Sequence, residues 1–302
     1  MSRSVAAPNG ARARAHSGVL RRALRREASR LRQPRHIVAI LLLGLAVGIT
    51  FAVLYARGEL AGADARAYWA AVRIWLNGGD PYHPTGPFMP YVYAPWILPA
   101  FVPWALLPWE VAWFAWRAAN LVLLAWSIGW AYRLHPLATA VTVLLLVFPF
   151  IANLDTGNIN LLLVYMIWAA QFTSPRTAGF LWALATSLKW VPIVFLPLLA
   201  PRGRAWGIVF LAIAAGLSVL TLNATLVQLQ VLFAFPRPAR VDYLVLAWCL
   251  VPWLWRDPDP ARYLRPATWI AWAKGWLADL RHPPAFLARF RRAFGLPVDA
   301  DA

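Results

Sequence analysis

The chain is sparing with the residues that soluble enzymes use freely. Only 12 of its 302 residues are acidic and 14% are charged, too few to solvate the surface of an ordinary globular domain. One cysteine, Cys249, excludes an intramolecular disulfide; set in an apolar run, it reads as a small buried hydrophobe. The five histidines (16, 36, 83, 135 and 282) are scattered without ligand spacing, so no metal site is expected. There is no sequence repeat of the kind that marks many transporters.

Apolar residues are what the chain has in excess. It is 61% hydrophobic with a positive mean hydropathy, and several runs approach or exceed the ~20 residues a helix needs to cross a bilayer. That pattern predicts an all-α polytopic membrane protein. Many of the 19 tryptophans stand beside prolines or arginines, as side chains at a membrane–water interface do. The net charge of +17 is gathered at the ends: ten arginines precede Ile37, and seven more follow Trp255 with Lys274. By the positive-inside rule both termini are cytoplasmic and meet anionic headgroups of the cell membrane. Nucleic acid is not expected as a partner, since no base-reading module accompanies the arginines.

Three regions follow: a basic cytoplasmic tail over 1–36, a membrane domain over 37–255 with an outer loop at 58–92, and a basic C-terminal tail over 256–302. Residues 19–32, VLRRALRREASRLR, read either as an amphipathic helix on the inner leaflet or as a solvated charged tail. The basic region is too long for a cleaved signal, so the run at 37–56 is expected to stay as the first helix. Further helices are expected near 93–108, 110–132, 137–152, 159–172, 178–200, 205–235 and 241–255, about eight in all, of which the short ones could be broken or re-entrant. A short interfacial helix in the outer loop, with Tyr68, Val72 and Trp75 on one stripe, should end at Asn77-Gly78-Gly79.

Polar groups stand out against this background. Asp64 follows the first helix by a few residues, where a general base for a sugar hydroxyl could meet a lipid headgroup. It could equally be a loop aspartate paired with Arg57 or Arg66. Gly78-Gly79-Asp80-Pro81-Tyr82 is a sharp turn; Asp80 and Tyr82 would form a pocket wall, or only a helix stop. His83 adds a hydrogen-bonding group or is a plain surface histidine. Lys189 falls in the middle of an expected helix, a functional candidate by default; holding an anion, pairing with Asp155 and simple snorkelling to the interface are all open to it. Asp155-Thr156-Gly157-Asn158-Ile159-Asn160 places polar side chains between two apolar helices, lining a cavity or forming a surface turn. Arg117, with Asn120 a turn away, raises the same question as Lys189. Arg237 and Arg240 would lie outside, within reach of a lipid phosphate.

The order of these pieces resembles glycosyltransferase family 87, the polyprenol-phosphate-mannose-dependent mannosyltransferases of the GT-C superfamily. The resemblance rests on Asp64 with Tyr68, GGDPY at 78–82, YVYAP at 91–95, Leu107-Pro108, GNIN at 157–160, LKWVP at 188–192 and RGRAW at 202–206, and covers about residues 57–210. It departs where the family usually has a double proline (here Ala94-Pro95), where it has a GQ pair (here Gly157-Asn158), and in the further membrane helices that members carry where this chain has its arginine-rich end.

The resemblance implies a GT-C-like bundle and inverting transfer of a sugar, mannose for preference, from a polyprenyl-phosphate donor to a lipid-linked or cell-envelope acceptor on the outer face. Asp64 would be the base and Asp80 a second catalytic carboxylate. Arg66, Tyr68, Tyr82, His83, Asn158, Lys189, Arg237 and Arg240 would bind substrate, the cations among them facing the departing phosphate. No cofactor is implied; the partners are membrane lipids and the donor itself. The alternative is a non-catalytic membrane subunit on the same scaffold that docks a partner protein. A cavity lined by Asp64 that opens sideways to lipid favours the enzyme; a filled cavity, or another protein over it, favours the subunit.

Overall fold

The computed structural model describes residues 33–57, 62–234 and 241–257, with isolated positions between 259 and 291. The expected amphipathic segment at 19–32, Arg237 and Arg240 lie outside the described residues. In chain order the helices are α1 (Pro34–Arg57), α2 (Ala63–Leu76), α3 (Val102–Ala105), α4 (Trp109–Leu134), α5 (Pro136–Leu145), α6 (Val147–Thr156), α7 (Asn160–Ala170), α8 (Pro175–Leu188), α9 (Pro201–Leu220), α10 (Leu222–Ala234) and α11 (Val251–Arg256). Tighter 3-10 segments at Pro95–Phe101, Val191–Leu198 and Val241–Leu250 complete the regular structure. No strand occurs among the described residues.

Each expected apolar segment is helical, yet few are straight spans. α1, α4 and α9 are long and apolar enough to cross a bilayer, and α5 with α6 makes a fourth candidate bent by 58°. Prolines account for the breaks. In a continuous helix the Pro149 ring would strike the carbonyl of Leu145, four residues earlier, and α5 ends at Leu145. Pro192 stands in the same relation to Leu188, where α8 ends. The helix expected over 178–200 is therefore two pieces, with Lys189 extended at φ −145°, ψ 136° between them. Pro95, Pro99 and Pro103 hold the stretch after the outer loop to 3-10 and one short α turn. Between α9 and α10 the hydroxyls of Thr221 and Thr225 take the carbonyls of Leu217 and Ser218 instead.

At the centre lies α7. It is apolar all round, and Leu161, Leu163, Val164, Ile167 and Trp168 are all buried, as expected of a helix enclosed on every side. Trp168 donates to the Trp248 carbonyl at 2.8 Å, joining α7 to the 3-10 segment at 241–250. Cys249 is fully buried, in agreement with its reading as a core hydrophobe. Gly179 and Gly207 let α8 and α9 cross closely, since a Cβ on Gly179 would lie 2.5 Å from the Gly207 nitrogen. α1 has Ala39 and Ala46 buried and most of its length exposed. It is anchored at its two ends, by His36 to the Tyr132 hydroxyl (3.1 Å) and by Arg57 to Asp155 (3.1 Å).

The outer-loop helix α2 ends at Asn77, as its sequence indicates. Tyr68 and Val72 are buried, while Trp75 is 42% exposed, so the expected stripe turns away from the core at its last member. Arg73 ties α2 to α3 by donating to the carbonyls of Ala105, Leu106 and Leu107, which a short helix leaves without partners.

The junction of α6 and α7 sets the site. Gly157 closes α6 at φ +68°, and the Asn158 N–H reaches back to the Asn153 carbonyl at 3.2 Å. This is a Schellman closure, which favours glycine at the left-handed position. Space at Gly157 is equally restrictive: a Cβ would lie 2.6 Å from Ala65 and 2.7 Å from Trp113. Gly157→Ala is expected to cost about 2–4 kcal/mol from backbone strain and overpacking together. A melting curve in detergent should fall by several degrees; an unchanged midpoint would show that α2 and α4 can give way.

Candidate functional site

The N-terminus of α2 is docked on the C-terminus of α6. The Gly62 N–H donates to the Asp155 carbonyl at 2.6 Å, and the helix begins one residue later. Asp64 thus occupies a first helical turn, where backbone N–H groups favour a carboxylate, beside the turn that presents Asn158. The Asn158 Nδ2 donates to Asp64 Oδ2 at 2.7 Å.

Asn158 faces a cation on its other side. Its Oδ1 accepts from Lys189 Nζ at 2.9 Å and from the Asn160 N–H at 3.1 Å. Lys189 also donates to Asn160 Oδ1 at 2.8 Å, and its ammonium lies 4.9 Å from the centroid of the Tyr243 ring. An ammonium has donors only, so both amides must turn their oxygens toward it and their NH2 groups away. For Asn160 the NH2 group then reaches Asp242 Oδ2 at 3.3 Å. The extended backbone at Lys189, produced by Pro192, directs the side chain into this cluster rather than along a helix face.

Asp64, Asn158, Lys189 and Tyr243 line one cavity of about 570 Å³, within the usual range for small-molecule sites. Tyr68, Tyr93, Thr186 and Gln228 add polar groups, and Met89, Val92, Trp190, Val191, Leu229 and Leu232 make the rest of the wall mostly apolar. The Thr186 hydroxyl is buried on this wall without a hydrogen-bond partner. Tyr68 and Tyr93 share a hydroxyl–hydroxyl contact of 2.9 Å. Burial first, then the neighbouring Tyr93 and the Asp64 carboxylate, push the Tyr68 phenol well above its ordinary pKa, so it keeps its proton and offers an O–H donor.

The structure thus brings Asp64, Tyr68, Asn158 and Lys189 together and sets the other expected site residues apart. Tyr82 stands behind the wall: its hydroxyl donates to the Tyr93 carbonyl at 3.0 Å. Asp80 and His83 are exposed and outside the cavity lining, joined to each other at 2.8 Å. Burial alone would raise the Asp80 carboxyl, but the His83 ring, the Tyr82 N–H and the His83 charge hold it below its ordinary value. That describes a turn brace. Arg66 is exposed and lies over the Phe88 and Trp109 rings, outside the lining.

Two expected pairings are corrected. Asp155 bonds Arg57 at 3.1 Å, and Lys189 donates to Asn158 and Asn160. Asn120 donates to the Trp116 carbonyl of its own helix, while Arg117 stacks over Trp113. Asn160, Asp242, Tyr243 and Gln228 were not singled out from the sequence. Asn160 stood within the GNIN motif, and Asp242 was the one carboxylate of an apolar run, which was the available signal. Among the described residues, no three His, Cys, Asp or Glu side chains gather in a way that could hold a metal ion.

Residues 91–243, about half of the chain, match the profile of Glycosyltransferase family 87. That stretch contains Asn158, Asn160, Lys189 and Asp242 and begins after Asp64. No curated protein and no solved structure matches the chain.

Proposed function

The chain belongs to glycosyltransferase family 87, and from that premise we propose that it transfers a sugar, mannose for preference, from a polyprenyl-phosphate donor to a lipid-linked or cell-envelope acceptor. The reading takes the GT-C bundle of about eight membrane segments, broken ones included, with the site at the outer face of the cell membrane and both termini cytoplasmic.

One observation carries it: a carboxylate and a cation share the wall of one cavity, held apart by a single amide, and the rest of that wall is mostly apolar. Asp64 takes the acceptor hydroxyl's proton as the oxygen forms its bond to the anomeric carbon. The bond from that carbon to the phosphate oxygen breaks, and polyprenyl phosphate leaves with the electron pair, inverting the centre. Lys189 faces the charge that develops on the phosphate. The Tyr68 and Tyr93 hydroxyls and the Gln228 amide are placed to bond sugar hydroxyls. The apolar wall suits the first isoprene units of the donor, so membrane lipid and donor are the partners, and no cofactor enters the reaction. That Asp64 lines this cavity favours the enzyme over the subunit reading.

The test is transfer of label from polyprenyl-phosphate [14C]mannose in membranes that contain the protein. A labelled glycolipid or envelope product above that of membranes without it is the expected outcome. If no product forms with any native lipid extract as acceptor, and the glucose- and arabinose-charged donors also fail, the reading is wrong.

A further inference from the structure

Asp242 is a buried carboxylate, 8% exposed, in the first turn of the apolar segment Val241–Leu250, where such a group is costly unless it is used. Its backbone carbonyl is fixed by Asn153 Nδ2 at 2.9 Å. Its Oδ2 receives the NH2 group of Asn160, and Asn160 Oδ1 receives Lys189. From Lys189 the chain continues through Asn158 to Asp64. The order is carboxylate, amide, ammonium, amide, carboxylate.

We propose that Asp242 and Asn160 are positioning residues: through Asn160, Asp242 holds the Lys189 ammonium against Asn158 and so fixes the amide face that Asn158 presents to Asp64. The two halves of the relay have different tasks. The Asp64 half opens on the cavity; Asp242 and Asn160 do not line it. Asp64 and Asp242 are each linked to the ammonium through one asparagine amide. A direct ion pair between Lys189 and Asp64 would occupy the oxygen that a hydroxyl must approach. With Asn158 interposed, the cation orients Asp64 without engaging it. The Asp242 arm stops Lys189 from swinging toward Asp64 to form that pair.

The catalytic half of this proposal rests on the glycosyl-transfer reading; the relay itself does not, and a readout independent of turnover tests it. Lys189 and Lys274 are the only lysines in the chain, and Lys274 is exposed. In the intact protein in detergent, labelling with acetic anhydride can be followed at both positions by peptide mass spectrometry, Lys274 serving as internal reference. Asp242→Asn and Asn160→Ala are each expected to raise the Lys189-to-Lys274 labelling ratio by about tenfold, the factor for losing one charge-assisted contact. Asp242→Glu should restore protection.

In the transfer assay the same two variants are expected to lower kcat with donor KM unchanged, because neither residue meets the donor. An unchanged labelling ratio in both variants overturns the relay, whatever the transfer assay shows. A raised ratio in a protein whose parent transfers no sugar keeps the relay and removes the function. If Asp242→Asn fails to accumulate, Asn160→Ala cuts the same link and decides.

Discussion

Replacing Asp64 with asparagine is expected to lower sugar transfer by about a thousandfold, in the middle of the range that a positioned general base contributes. The substitution is nearly isosteric, and an asparagine carbonyl can still accept the Asn158 NH2 group now bound to Asp64 Oδ2. The docking of α2 on α6 runs through the Gly62 N–H and the Asp155 carbonyl, which the substitution leaves alone. Melting temperature should therefore stay within a degree or two of the parent while turnover disappears, with donor KM little changed. Equal transfer by both proteins would remove Asp64 from the chemistry, and the glycosyl-transfer reading would then need another base from the cavity wall.

Lys189→Met is expected to show the second-largest effect, a loss of about 10²–10³ in kcat/KM, the scale for removing one charge stabiliser from an active site. Methionine matches the length of the stem and packs readily, so the variant deletes the charge more than the volume. It also strips Asn158 Oδ1 and Asn160 Oδ1 of their ammonium, and a lower melting temperature should accompany the lost activity. Lys189→Arg separates the two effects. A guanidinium keeps the charge but is planar and forked and fits poorly between two convergent amides, so stability should return further than turnover. If Lys189→Met transfers sugar at the parental rate, the cation facing the phosphate lies elsewhere.

Composition and proline placement made much of the architecture readable. Hydrophobic run length marks where helices lie, and all eight expected segments are helical. Run length is blind to straightness, which depends on where a proline ring meets the carbonyl four residues before it; hence the divided segment at Lys189 and the bend after Leu145. For the site, isolated polar groups in apolar surroundings pointed to Asp64, Asn158 and Lys189, which the fold gathers at one cavity. Their partners were less legible. Lys189 and Asp155 looked like a natural ion pair by charge, but Asp155 is claimed by Arg57 at the end of α1, a contact set by packing across 98 positions of sequence. Asp242 gave no motif, and its contact with Asn160 joins side chains 82 residues apart. Asp80 and His83 looked chemical by residue type but serve the turn that carries Tyr82.

The two anchors of α1 stand about a membrane's width apart. Twenty-one residues separate His36 from Arg57, a rise of about 32 Å along a helix, close to the ~30 Å of a hydrocarbon core. At the Arg57 end the anchor is Asp155, whose side chain holds Arg57 and whose backbone holds the start of α2. One residue thus joins the end of a membrane-length helix to the start of the helix that carries Asp64.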